Sequence, residues 1–424
     1  YEVVQRTNTS EANAVLIDVN RFRNGDVTYH NGDNNAKTYA GVSYGGNTAE
    51  GNKFTLKGIS EGKTLQYVSG GRSEGTAGGA VKNTVNLLGT GKGTLEEVYG
   101  GYVGSVANAA DVTENTVNIA GGTAKNVYGG YTNGTGKTTG NIVNIGYTDK
   151  NGVFRAVADG TKVTGTIYGG SKSDDVTGNT LNVMVKDAKA QKGQNFENYT
   201  FHLTDHIAAD KPKSGGVDDT FTKSRGTMLT LAEGFDGQTA DWSKVTGDTS
   251  KLSADKTLGA ITLMKSTAAN KLKFSNYAAK NHAVSGDYEV VQRTDTNTGE
   301  ANAVLIDVNR FRNGEVVYDG VNPNAKTYAG VSYGGNTAEK NTMTLTGIAS
   351  GKTVKYLSGG RSEGAAGGAV NNIVNLVGTG AGTLEEVYGG YIGKATNAAD
   401  ATGNTVNIAD GTAQNVYGGY TNGT

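Results

Sequence analysis

Residue types able to do chemistry are few in this chain of 424 residues: 4 histidines, no cysteine, and short carboxylate pairs set among 66 glycines. Of the histidines, His30, His202, His206 and His282, only His202 and His206 are close, four residues apart. On a strand that spacing puts both on one face, but no carboxylate triad accompanies them, so they read as surface histidines. Glu96-Glu97 and Glu385-Glu386 recur on matching segments. Adjacent strand residues face opposite sides, which denies them the geometry of an acid/base pair. Asp18-Val19-Asn20 with Asn24-Gly25-Asp26 supplies calcium-loop donors, yet Arg21, Phe22 and Arg23 interrupt the ligand spacing. The frequent double glycines are not followed by Lys-Ser/Thr and no strand-loop-helix unit surrounds them, unlike phosphate-cradling loops. The expectation is a non-enzyme with no catalytic residue, no metal and no cofactor.

Composition narrows the partners. With 39 basic against 40 acidic residues the formal net charge is -1, and no long run of either sign offers a footprint for nucleic acid or an anionic membrane. Glycine does not recur every third residue and prolines number 2, which excludes collagen. A hydrophobic content of 36% with 22 tyrosines argues against disorder. Absence of cysteine removes disulfides and thiolate sites and permits export through an oxidising compartment. Residues Tyr1 to Thr7 lack a signal-peptide pattern, and no apolar run reaches the ~20 residues of a membrane helix, so no transmembrane segment is expected here. Any export signal or anchor is expected outside this sequence.

Internal repetition decides the architecture. Tyr1-Glu-Val-Val-Gln-Arg-Thr7 returns as Tyr288 to Thr294, and Ala14 to Gly25 returns as Ala303 to Gly314; from Val15 (Val304) onward the offset is a constant 289. A shorter repeat lies inside each copy. Double glycines occur at Gly45-Gly46, Gly70-Gly71, Gly100-Gly101, Gly129-Gly130 and Gly169-Gly170, and again at Gly334-Gly335, Gly359-Gly360, Gly389-Gly390 and Gly418-Gly419. Between them stand Asn52-Lys-Phe-Thr-Leu56, Asn83-Thr-Val-Asn-Leu87, Asn115-Thr-Val-Asn-Ile119, Asn141-Ile-Val-Asn-Ile145 and Asn179-Thr-Leu-Asn-Val183. Alternating apolar and polar residues with β-branched enrichment predict short strands with one buried face. Such pairs cannot bury that face alone, so units must stack or close into a ring. Step lengths varying from 25 to 40 residues fit a solenoid, whose corners absorb insertions, better than a propeller of ~50-residue blades. The fold class predicted is all-β, an elongated parallel β-solenoid of roughly 15 rungs at ~29 residues each.

Stacking at ~4.8 Å would align like residues in columns. Asn83, Asn115, Asn141 and Asn179 then either form an amide ladder or sit in turns facing solvent. The double glycines serve as corners with φ > 0 or as points of close backbone approach. The column just after them reads Asn47, Arg72, Tyr102, Tyr131 and Ser171, then Asn336, Arg361, Tyr391 and Tyr420. Arg72, Tyr102, Tyr131, Arg361, Tyr391 and Tyr420 are the candidate surface contacts for sugars or proteins. The alternative is that the tyrosines only stack on one another.

Asn115-Thr-Val-Asn-Ile119 followed by Asn126-Val-Tyr-Gly-Gly-Tyr131 resembles the glycine- and asparagine-rich passenger repeats of bacterial autotransporter adhesins, across residues 40–183 and 329–424. The resemblance implies a right-handed parallel β-helix, exported across the outer membrane and used on the bacterial cell surface for adhesion or aggregation, with a host or bacterial glycan or protein, or itself, as partner. The domain reading is 1–183 as copy 1, 184–287 as an irregular continuation with a short helix near Ile207 to Lys211, and 288–424 as a truncated copy 2. A surface-layer or filament subunit without ligand, and a glycan-active enzyme, are the other function classes.

Overall fold

Val85 and Leu87, Val117 and Ile119, Val143 and Ile145, and Leu181 and Val183 are each at most 1% exposed, while the threonines, isoleucines and asparagines alternating with them stay partly exposed. That two-residue period is what makes these segments strands with one face in a core. In the computed structural model the described residues are 2–8, 11–17, 21–31, 38–151, 153–155, 162–204, 226–251, 260–267, 271–276, 282–283, 287–293, 303–307, 310–320 and 327–424. Among them there is no α-helix, and the strands stack in parallel as a β-solenoid amounting to about 11 turns. The number is below the ~29-residue arithmetic because turns lengthen to 40 residues (Gly130 to Gly170) and antiparallel stretches add none. The region 207–211, expected to be helical, lies outside the described residues.

Two units are present: Tyr1–Phe201 with Met228–Val245 and Lys265–Ser275, and His202–Thr227 with Thr246–Met264 and Asn276–Thr424. In the first, the strands Asp26–Tyr29, Lys53–Leu56, Thr84–Leu87, Thr116–Ile119, Ile142–Ile145 and Thr180–Val183 follow one another in a parallel sheet. A second parallel sheet carries the glycine strands Tyr39–Ser43, Thr64–Ser73, Thr94–Val103, Asn126–Thr132 and Thr166–Gly170. A third, short sheet joins Ala49–Glu50, Ala80–Val81 and Val112–Thr113. The second unit repeats this pattern internally, with Thr342–Leu345, Ile373–Leu376 and Thr405–Ile408 in one sheet and Tyr328–Ser332, Thr353–Ser362, Thr383–Ile392 and Asn415–Thr421 in another. An antiparallel hairpin opens each copy, Glu2–Asn8 with Glu11–Ile17 and Glu289–Arg293 with Ala303–Asp307.

The first asparagine of each motif is fully buried and forms the amide ladder. Asn52 Nδ2 donates to Asn83 Oδ1 at 2.8 Å, Asn83 to Asn115 at 2.9 Å, Asn115 to Asn141 at 3.0 Å and Asn141 to Asn179 at 3.4 Å. Each Oδ1 also accepts the backbone N–H of the preceding ladder residue, and the second amide hydrogen goes to a backbone carbonyl, as from Asn115 to Ala80 at 2.9 Å. Both donors and both acceptor sites are thereby used, which is what allows a primary amide into a dry core. In the second unit Asn341, Asn372 and Asn404 repeat the pattern, with 2.8 and 2.9 Å spans.

The glycines are the other half of that contact. A Cβ on Gly71 would fall 2.3 Å from Asn83 Oδ1, and one on Gly101 2.6 Å from the Asn115 amide; on Gly100 it would meet the Gly129 carbonyl oxygen at 2.3 Å. Close approach is therefore their structural duty. The corner reading is corrected for Gly70-Gly71, Gly100-Gly101, Gly129-Gly130, Gly169-Gly170, Gly359-Gly360, Gly389-Gly390 and Gly418-Gly419, none of which has a left-handed φ. Of the candidates only Gly46 (φ 94°) and Gly335 (φ 101°) do, at bends after the strand. Left-handed corners fall one residue before each ladder asparagine instead, at Lys82, Glu114 and Gly140 for Asn83, Asn115 and Asn141. The first rung is also re-registered: Gly41, not Gly45 or Gly46, lies opposite Gly71, and Gly330 lies opposite Gly360.

Candidate functional site

Outside the ladder, the glycine strands carry two outward columns. One runs Tyr39, Ser69, Tyr99, Tyr128 and Tyr168; the other runs Val42, Arg72, Tyr102 and Tyr131. Asn47 and Asn336, expected to begin the second column, are replaced there by Val42 and Val331, because the register shift moves the bend residues off the strand. Asn336 instead donates to the buried carboxylate of Glu289, which also accepts the backbone N–H of Tyr333 and Gly334 and the Ser332 hydroxyl. The double glycine between the columns bears no side chain, so the rings close over it, with Tyr99 and Tyr102 5.1 Å apart.

Arg72 lies in the middle of this surface. Its guanidinium stands over Tyr67 at 4.6 Å, Tyr102 at 5.1 Å and Tyr39 at 5.4 Å, and it donates to the Tyr67 hydroxyl and the Glu74 carboxylate. A cation held among ring faces gains quadrupole attraction, and its charge is answered by Glu74. Arg361 repeats the arrangement over Tyr356 at 4.4 Å, Tyr391 at 4.9 Å and Tyr328 at 5.7 Å, with Glu363 accepting from Nε at 2.9 Å. Tyr102 and Tyr131 stack at 5.6 Å and 7°, Tyr391 and Tyr420 at 5.6 Å and 2°. The Tyr102 hydroxyl accepts from Asn133 at 3.2 Å and the Tyr391 hydroxyl from Asn422 at 3.1 Å.

So Arg72, Tyr102 and Tyr131 are brought together in one unit and Arg361, Tyr391 and Tyr420 in the other. Tyr102 and Tyr391 each lay a ring face on the tyrosine of the next rung, and the Asn133 and Asn422 amides beside them are exposed. The recess beside Arg361, lined by Tyr356, Ser358, Glu386, Tyr388 and Tyr391, holds about 70 Å³. Enclosing sites for small molecules run to ~300–1,000 Å³, so this is a shallow recess in the surface and not a chamber. Sequence reasoning passed over Tyr67, Tyr99, Tyr128, Tyr168, Tyr356, Tyr388 and Tyr417, although all seven stand within three residues before a double glycine and Tyr99 and Tyr388 are buried with 6% exposure. It also passed over an outer amide ladder, Asn182 to Asn144 to Asn118 to Asn86 at 2.8, 2.7 and 2.9 Å.

The other chemistry-bearing residues do not converge. Glu96 pairs with Lys125 of the next rung at 2.9 Å, while Glu97 accepts the Tyr99 hydroxyl. His202 Nδ1 lies 3.2 Å from Asp248, and His30 is exposed beside the Asn31 carbonyl. His206 and Asp18 to Asn20 lie outside the described residues, and Asp26 is paired with Lys53 at 2.8 Å. No group of metal-ligating side chains occurs among the described residues, and no described helix is long and apolar enough to cross a membrane.

Burial first, then the adjacent Tyr168 phenol, holds Tyr128 well above the ordinary tyrosine range; burial and then the Glu386 carboxylate do the same for Tyr388. Tyr102 and Tyr391 are also raised, chiefly by burial. Because the folded values exceed the ~10 of an unfolded tyrosine, this contribution to stability is complete below pH ~10 and is lost as pH rises through the folded values. Alkaline titration should therefore show loss of β circular dichroism above pH ~10, later in pH for Tyr128→Phe with Tyr388→Phe. An unchanged alkaline midpoint in that variant would contradict the shielding.

Compared with known proteins, the chain matches no protein-family model, no curated protein and no solved structure.

Proposed function

We propose that this chain is a non-catalytic repeat stalk displayed outside a bacterial cell, where it serves adhesion or aggregation. The single observation that carries the reading is the outward Arg-Tyr array, which recurs at Arg72-Tyr102-Tyr131 and Arg361-Tyr391-Tyr420 with the same stacking distance of 5.6 Å. Beneath it the ladder amides are satisfied internally, so the scaffold is complete without a ligand and can present many copies of one surface. Multiplied weak contacts of that kind give avidity. A near-neutral charge and a cysteine-free chain suit export and display better than nucleic-acid binding. The partner class is a host or bacterial surface glycan or protein, or a second stalk, met by tyrosine edges, hydroxyls and amides.

The test is binding of the full chain to a glycan array, to bacterial and host cells, and to itself by sedimentation. Tyr131→Ala with Tyr420→Ala should lower the binding found by at least about tenfold, since truncated aromatic anchors cost that much. Absence of binding to all three would leave a structural filament or layer subunit as the reading. Release of reducing ends from a polysaccharide would overturn the non-catalytic assignment.

A further inference from the structure

Tyrosines of successive rungs lie in ring contact in both units. Tyr128 and Tyr168 stack at 4.5 Å and 4°, Tyr102 and Tyr131 at 5.6 Å, Tyr388 and Tyr417 at 5.2 Å, and Tyr391 and Tyr420 at 5.6 Å. Tyr99 lies 5.3 Å from Tyr128 in its own column, and the columns also touch each other, Tyr99 lying 5.0 Å from Tyr131 and Tyr388 5.2 Å from Tyr420. Within each column a phenol already has a proton acceptor: Tyr99 donates its hydroxyl hydrogen to Glu97, and Tyr388 to Glu386.

From this geometry we propose that the tyrosine columns are oxidative cross-linking sites, at which a peroxide-driven one-electron oxidant joins adjacent rungs through dityrosine. Each of two phenols gives up one electron and its hydroxyl proton, the carboxylates of Glu97 and Glu386 being placed to take that proton from Tyr99 and Tyr388. Two phenoxyl radicals in neighbouring rings then form a carbon–carbon bond between their ortho positions, and each displaced ortho hydrogen moves to its own phenolic oxygen. The two electrons and two protons convert one hydrogen peroxide into two waters, so the chain loses two hydrogens in all. Rings held within contact react with each other in preference to rings on another molecule, because their mutual concentration is fixed by the fold. A radical formed at Tyr99 has Tyr128 and Tyr131 as its nearest phenol neighbours on the next rung. In a chain with no cysteine, such a bond supplies a covalent staple between rungs. The inference stands apart from the adhesive reading, since it needs no ligand.

The experiment is to oxidise the dilute full chain with peroxide and a haem peroxidase, isolate monomer, and digest with trypsin. Tryptic fragment 93–125 should be found joined to 126–137, and 362–394 joined to 395–424, each pair two hydrogens lighter and carrying dityrosine fluorescence. Tyr128→Phe with Tyr131→Phe should abolish the first joined pair and leave the second, which also reports that the chain is folded. Cross-links found only between molecules, an unchanged first pair in that variant, or no dityrosine at all would overturn the proposal.

Discussion

Replacing Asn115 by leucine is expected to destabilise its rung on the order of 4 kcal/mol, although leucine is close in size and the site is in the core. Four hydrogen bonds vanish: those from Asn115 Nδ2 to Asn141 Oδ1 and the Ala80 carbonyl, and those that Asn115 Oδ1 accepts from Asn83 Nδ2 and the Asn83 backbone. The groups left behind cannot turn to water, because Asn83 and Asn141 are fully buried. An orphaned buried donor or acceptor costs about 1–3 kcal/mol, more than the bond itself contributes. Asn118→Leu removes two bonds of the outer ladder at a half-exposed position, where water replaces them, and should cost about 1 kcal/mol or less. Urea denaturation and amide exchange of the two variants check this; equal effects would mean that the inner ladder has no special share in stability.

Valine at Gly129 is expected to cost about 3 kcal/mol, and valine at Gly347 within about 0.5 kcal/mol of nothing. A Cβ at Gly129 would lie 2.5 Å from the Gly169 carbonyl oxygen and 2.8 Å from Asn141 Cβ, whereas at Gly347 the nearest atom is the Asp319 carbonyl oxygen at 3.7 Å. Neither glycine has a left-handed φ, so the contrast isolates the approach of the next rung from backbone strain. In a stack stabilised by nearest neighbours, loss of exchange protection should be confined to the rungs beside residue 129. Uniform loss along the chain, or equal sensitivity at the two positions, would contradict the stacking.

The parallel rungs were legible because Asn-Thr-Val-Asn-Ile is a two-period strand and recurs with so little change that like residues must meet like. The ladder was legible for the same reason: an amide at a fixed place in every rung finds its own kind above and below. The register of the first rung was not. Gly45-Gly46 matches the motif by type, but register is chosen by which glycine the ladder amide covers. A Cβ on Gly41 would fall 2.2 Å from Asn52 Oδ1, while one on Gly46 meets only Ala77 at 3.5 Å. Nor were the left-handed corners legible, since Lys82 and Glu114 occupy two of them with φ of 55° and 58°, and neither residue type signals such a turn. At the candidate surface, counting one residue beyond the glycines found Arg72, Tyr102 and Tyr131 but not Tyr99 or Tyr128. Alternation places residues on either side of a straight strand, and the double glycine is where the two columns fold together.

The most direct test of the stacked register uses the absence of native cysteine. Asn118 lies opposite Asn144 on the next rung, and Asn182 lies opposite Asn144 one rung further on. Cα atoms one rung apart, ~4.8 Å, are within disulfide reach, and two rungs apart, ~9.6 Å, are beyond it. Under mild oxidation Asn118→Cys with Asn144→Cys should close to a disulfide in the monomer, and Asn118→Cys with Asn182→Cys should not. Closure of the second pair, or failure of the first in a chain that keeps its β circular dichroism, would contradict the rung order on which the account rests.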